Sequence, residues 1–287
     1  MKKLYFLSIL LAAPFAAFAL PVNNPEIATL ACDGVFFSSS RCATPIVRCD
    51  VFSVRLGYYG DFIFNNYTQV DQSGRKGSIQ RTQLYTNAGE IDFNLWNRFE
   101  VFAVLGVADA KVSAPISNFS VGGAPVNSLL SIETTSDFAW SIGGRGTLFQ
   151  CGRLGFGVEG QYFATNPEIN CVRDHFNSIS TYINDQELHY QSWQVGLGVT
   201  YEVIINGCFS FLPYGALAWA GTNIDMGNRQ VLLSGQNVTA ELFNLKKERP
   251  FGYALGATLL GGERVLITAE GRFAYEKALF LSVQMRL

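Results

Sequence analysis

From Phe52 onward the chain repeats one pattern: short segments in which apolar and polar side chains alternate, joined by connections that are by turns very short and long. A two-residue period sends successive side chains to opposite faces of a strand, so each segment carries one apolar face. In the first, Phe52, Val54, Leu56, Tyr58, Phe62 and Phe64 share one face, and Ser53, Arg55, Gly57, Tyr59 and Asp61 share the other. The same reading places strands over 88–95, 99–107, 138–148, 154–162, 193–203, 209–221, 251–260, 265–273 and 279–287, ten in all. The segment at 99–107 is the odd one, because Phe102 and Val104 make its second face apolar as well.

The connections sort into two kinds. Tight turns fall near Asn97, at Gln150-Cys151-Gly152 and at Asn206-Gly207, while long polar stretches run from Ala114 to Thr134, Asn166 to Asp185 and Asn223 to Glu248. Short on one side and long on the other is the periplasmic and extracellular asymmetry of a transmembrane antiparallel β-barrel. A soluble sandwich or lipocalin-like barrel also alternates, but its polar face carries Lys and Glu to water. Here the polar face is rich in Gly, Ser and Thr with isolated charges, as a lumen would be. Two further apolar runs, Val231-Leu232-Leu233 and Val238 to Leu242, flank Ser234-Gly235-Gln236 and leave the count open from ten to sixteen. That range matters, because about eight strands leave an interior filled by side chains whereas sixteen to eighteen leave an aqueous channel.

Composition agrees. Only 15% of residues are charged against 48% hydrophobic, too few charges for an ordinary soluble surface. No stretch after residue 20 reads as an apolar spanning helix: Val203 to Ile224 lacks charge but is broken by Asn206-Gly207 and Pro213. A net charge of −2 with no basic cluster gives no reason to expect nucleic acid. Lys2 and Lys3, the apolar Leu4 to Ala13 and Ala17-Phe18-Ala19 have the layout of a cleaved signal peptide over 1–19. The expected organisation is then a periplasmic segment over 20–48 and a barrel over 49–287.

Six cysteines in an exported chain are disulfide candidates. The strand map assigns Cys32, Cys42 and Cys49 to the N-terminal periplasmic segment, Cys151 and Cys208 to periplasmic turns, and Cys171 to an outer loop. They could staple the N-terminal segment to the rim or bond to neighbouring proteins, and neither their spacing nor a nearby His suits zinc.

The segments L-P-V-N-N-P (20–25), C-D-G-V-F-F (32–37) and above all C-D-V-F-S-V-R-L-G-Y-Y-G-D-F-I-F (49–64) resemble the N-terminal region of the chlamydial major outer membrane protein (MOMP) and its porin relatives. L-H-Y-Q-S-W-Q-V-G-L-G-V (188–199), L-P-Y-G (212–215) and A-E-G-R-F-A-Y-E-K-A-L-F-L-S-V-Q-M-R-L (269–287) are similar in kind. The resemblance implies an outer-membrane diffusion porin that is also a disulfide-linked structural component of the envelope. Its partners would be the lipid bilayer, further copies of itself as in a trimer, and cysteine-rich envelope proteins; no cofactor is implied. The chain departs from the family in being short and in ending at Leu287 rather than at an aromatic.

The strand phase sends Arg55, Asp61, Glu90, Asp92, Glu100, Arg145, Glu159, Glu202, Glu270, Arg272 and Arg286 to the interior. Such charges set ion preference in a pore; alternatively they pair across the interior and hold a narrow barrel shut, since unpaired charges in a dry lumen are expensive. Three other signals weigh less. Gly155 to Gly160 matches a dinucleotide fingerprint with no helix after it. His189, near Asp185 and Glu187, would suit an outer-membrane protease or phospholipase but reads more simply as a solvated rim residue. The sequons at Asn66, Asn118 and Asn237 arise readily by chance.

Overall fold

The computed structural model describes residues 52–71, 79–95, 99–121, 124–151, 153–174, 179–182, 186–206, 209–226, 230–233, 238–241, 244–261 and 264–287. The segments expected to be a signal peptide and a periplasmic N terminus, with Cys32, Cys42 and Cys49, and also Cys208, lie outside them. The strands are, in order, β1 (Phe52–Asn66), β2 (Thr68–Val70), β3 (Arg81–Leu95), β4 (Phe99–Val121), β5 (Ala124–Thr134), β6 (Asp137–Cys151), β7 (Leu154–Thr165), β8 (Ile169–Asp174) and β9 (Ile179–Tyr182). They continue with β10 (His189–Tyr201), β11 (Val203–Asn206), β12 (Phe209–Asp225), β13 (Gln230–Leu233), β14 (Val238–Glu241), β15 (Leu245–Lys247), β16 (Phe251–Gly261), β17 (Val265–Phe273) and β18 (Glu276–Arg286).

Ten of these close into an antiparallel barrel in the order β1, β3, β4, β6, β7, β10, β12, β16, β17, β18. The seam joins the first and last strands, from Arg55 opposite Arg286 to Asn66 opposite Glu276. Closure gives every strand two neighbours and leaves no open edge in hydrocarbon, where an unpaired backbone N–H or C=O would cost several kcal/mol. The short turns at 95–99, 151–154, 206–209 and 261–265 share the periplasmic end, and the long connections share the other, with one exception. The outer turn between β17 and β18 is tight, and Ala274 makes it with a φ of 74°.

The outward face carries a middle band of Leu56, Ile91, Leu105, Ile142, Leu197, Leu217, Leu255, Ile267 and Leu281, all exposed. Aromatic pairs border it at two heights. Toward the loop end stand Phe62–Tyr85, Trp140–Tyr162, Trp193–Trp219 and Tyr253–Phe273, and toward the turn end Phe52–Phe93 and Phe149–Phe156. Two aromatic girdles around an aliphatic belt are what a barrel presents to a bilayer. Among the described residues no helix is long and apolar enough to cross a membrane; the crossing is made by strands.

The stretches expected to be long loops are partly strand. The prolines at 115 and 125 suggested an irregular insertion, yet β4 runs on to Val121 and turns back as β5. Beyond Ser113, β4 has left its barrel neighbours β3 and β6 behind, and a strand with one free edge tolerates proline. β8 and β9 extend this outer flap, while β2 pairs with β15. Of the two further apolar runs, 231–233 lies in β13 and 238–241 in β14, and these strands pair with each other outside the barrel. The barrel count is therefore ten, the low end of the expected range.

These outer elements fold inward. Ile79, Leu130, Ile132, Ile169, Val172, Leu188, Met226 and Leu245 from the connections pack on Ile63, Leu84, Phe163, Tyr190 and Ile224 at the mouth, forming one buried apolar cluster. Backbone bonds pin the cap, among them Leu188 N–H to Pro167 O (2.9 Å) and Asp71 N–H to Asn244 O (2.7 Å).

Candidate functional site

Below the cap the lumen is a column of charged side chains on the inward-facing positions of the strands. The central layer is built around Arg145 on β6. Its guanidinium donates to Glu90 Oε1 at 2.7 Å and lies 3.0 Å from Glu100, 3.6 Å from Asp92 and 3.7 Å from Glu159. Arg55 pairs with Glu100 as well. The acids come from β3, β4 and β7, so one cation ties together four strands that the sequence separates widely. Arg145 also stacks over the Phe102 ring, 4.2 Å from its centroid. That explains the apolar second face of β4: Phe102 and Val104 pack inside with Tyr59 and Phe280. Gly143 makes room for the ring, since a Cβ there would lie 2.3 Å from Phe102 Cζ.

The upper layer is centred on Arg272 of β17. It bonds Asp61 at 2.5 Å and also pairs with Glu276, while Glu270 stands 3.9 Å away and accepts a bond from Tyr214 (2.8 Å). Lys247 descends into this layer from β15, giving its ammonium to Asn66 Oδ1 (2.6 Å) and Glu276 (3.1 Å). Asn66 in turn donates to the Tyr190 hydroxyl (3.0 Å) and Thr222 Oγ1 (2.7 Å). Burial pushes the Lys247 ammonium down to about 8, with Glu276 pulling the other way. At the turn end, Ser210 donates to Glu202 (2.6 Å).

Arg55, Asp61, Glu90, Asp92, Glu100, Arg145, Glu159, Glu202, Glu270 and Arg272 thus all stand inside the barrel, buried. Arg286 is half-buried at the turn-end rim. The sequence reading missed Lys247 and Glu276. Glu276 continues the inward parity of Ser282 and Gln284 back past residue 279, where the expected strand began; Lys247 sits in a connection that periodicity does not address. The charged groups are closed off from water in this conformation, held between ion pairs and the cap. Buried pairs of this kind are weak evidence of stability, but breaking one side of them is costly.

The other sequence candidates lie apart. Cys171 is buried in β8 with a free thiol, so this disulfide candidate is unbonded here; Cys151 ends β6. The fingerprint at 155–160 is part of β7, paired on both sides in an antiparallel sheet, with no helix to receive a pyrophosphate. His189 is exposed at the outer end of β10, its Nδ1 4.0 Å from Glu187.

The chain matches the family described as Chlamydia major outer membrane protein over residues 1–79 and 124–185. It aligns with a major outer membrane porin of Chlamydia pneumoniae at 26% identity over 394 positions, covering all of both chains. A major outer membrane porin of Chlamydia trachomatis, serovar L1, is 24% identical over 397 positions, again end to end. The chain belongs to the chlamydial major outer membrane protein family. It is an outer-membrane β-barrel. Both alignments run over a hundred positions beyond its 287 residues, so it is a shortened member of that family. Among solved structures, the β domain of the Bordetella autotransporter BrkA has a TM-score of 0.44 at 11% identity, covering 83% of this chain and 99% of that one.

Proposed function

We propose that this member of the family acts as a porin, letting ions and small hydrophilic solutes diffuse passively through the lumen, and performs no chemistry. The observation that carries the reading is the end-to-end correspondence with relatives named major outer membrane porin. The geometry supports it with a charge-lined interior inside a lipid-facing wall. Ten strands enclose a narrow passage, and the structure is its closed form: solutes pass when the outer cap, with Lys247 on β15, lifts away from Arg272 and Glu276. The N-terminal cysteines would add a structural role by disulfide linkage within the envelope, to further copies or to cysteine-rich proteins.

A second reading, a permanently plugged structural barrel, draws on the ion-paired and capped interior. Planar-bilayer recording of the refolded protein separates the two. Stable conductance steps are expected, and steps should become more frequent in Lys247→Met, which frees the cap from Glu276. Silence of both proteins would overturn the porin reading. A non-reducing gel of isolated envelopes tests the disulfide role, with reductant-sensitive multimers expected and a monomer in both lanes contradicting it.

A further inference from the structure

The outer rim differs from one side of the barrel to the other. Three exposed cations, Arg81 at the start of β3, Lys277 near the start of β18 and Arg249 just after β15, gather around one short stretch of backbone, residues 64–67. Lys277 stands directly opposite Asn65 across the closing seam. Arg81 approaches from the other side of β1, its Nε donating to Phe64 O at 3.1 Å. Arg249 lies over the Tyr67 ring, 4.5 Å from its centroid, held there by the bond from Glu248 N–H to Tyr67 O (2.8 Å). None of the three forms an ion pair among the described residues. Of the acids beside them, Asp71 is taken by Lys246 at 2.6 Å and Glu248 is half-buried, so this sector keeps a positive surplus.

Height decides what the patch meets. Lys277 shares the outward parity of Leu279 and Leu281 on β18, and Arg81 that of Tyr85 on β3, so both stand on the lipid side of the wall. They lie beyond the ring pairs Phe64–Tyr85 and Tyr253–Phe273 of the loop-end girdle. Such a girdle marks the headgroup level, and cations just above it reach the phosphate layer of the outer leaflet. The far wall offers the opposite charge: Asp137 begins β6, Glu168 follows β7, Glu187 precedes β10 and Asp225 ends β12. A guanidinium takes phosphate oxygens in pairs through its planar fork, and stacking on Tyr67 orients that of Arg249 without using its N–H donors. We infer that Arg81, Arg249 and Lys277 bind the phosphate groups of a phosphorylated outer-leaflet glycolipid, whose acyl chains lie against the apolar wall below. The site is on the outside of the barrel and is independent of conduction through the lumen.

The test titrates the folded full-length protein in detergent with diphosphoryl lipid A and counts bound lipid by native mass spectrometry. Each Lys or Arg near an anionic surface contributes about fivefold in affinity, so R81Q/R249Q/K277Q should bind about a hundredfold more weakly and each single variant about fivefold. Wild-type protein should lose binding to a similar extent when the lipid is stripped of its phosphates, an arm that decides the matter if the triple variant fails to fold. D137N/E168Q on the far wall should bind like wild type. Excess inorganic phosphate should leave the lipid in place, since it lacks the chains that the wall holds. Binding that ignores the phosphates, survives the triple variant or yields to free phosphate overturns the inference.

Discussion

Replacing Arg145 with methionine tests the electrostatic reasoning about the lumen. Methionine keeps most of the volume and the contact with Phe102, so the change isolates the charge. Among the described residues it leaves Glu90, Asp92, Glu100 and Glu159 with Arg55 as the one guanidinium that pairs in their layer. Removing one partner of a buried ion pair costs about 3–5 kcal/mol, and a desolvated cation–π contact adds up to about 2 kcal/mol. Relief by rearrangement of the carboxylates offsets part of this, and a loss of about 4 kcal/mol is expected. The acids are in excess, so Glu159→Gln should change stability by less than about 1 kcal/mol. In R145M/E159Q the two effects should couple, the second change recovering at least about 1 kcal/mol of the first. The assay is equilibrium urea unfolding in lipid vesicles, read by tryptophan emission. A loss below about 1 kcal/mol in R145M, or strict additivity of the pair, would refute the claim that this arginine neutralises the layer.

Other outcomes follow from single contacts. Gly143→Ala places a Cβ 2.3 Å from Phe102 Cζ and 2.8 Å from Gly160 O; a loss of about 1–3 kcal/mol is expected, eased in a Phe102→Leu background, and urea midpoints check both. Ala274→Gly should raise stability by up to about 1 kcal/mol, because a left-handed φ is strained for alanine and free for glycine; a lowered midpoint would contradict this. Unfolded lysine holds its proton to about 10.4, while folded Lys247 releases it near about 8. Between those values the unfolded chain binds more protons, so stability should rise with pH. Lys247→Met should flatten that rise in a series of urea midpoints from pH 7 to pH 10.

The ten barrel strands were legible because their two faces meet opposite environments. Phe52 to Phe64 must satisfy lipid on one side and a lumen on the other, and only a two-residue period does both. Phe102 and Val104 blurred the pattern because the lumen itself holds an apolar patch, which no local sequence rule announces. The outer flap resembles a loop in sequence because Pro115 and Pro125 are strand breakers at the centre of a sheet, though tolerated at its edge. Strand phase gave the inward charges but not their partners. Arg145 meets Glu90 across a separation of 55 residues, a contact fixed by barrel closure. Lys247 reaches the lumen only because β15 folds over the mouth and pairs with β2 and β12.

The alternation of lipid-facing and lumen-facing side chains along one strand carries the whole account, and a spin-label scan of β10 measures it directly. With the native cysteines replaced by serine, single labels from His189 to Tyr201 would be read for collision with dissolved oxygen in lipid vesicles. Maxima are expected at Trp193, Val195, Leu197 and Val199, with minima at Gln194, Gly196, Gly198 and Thr200. A flat profile, or a period near 3.6 residues, would contradict a β-barrel wall and the passage it encloses.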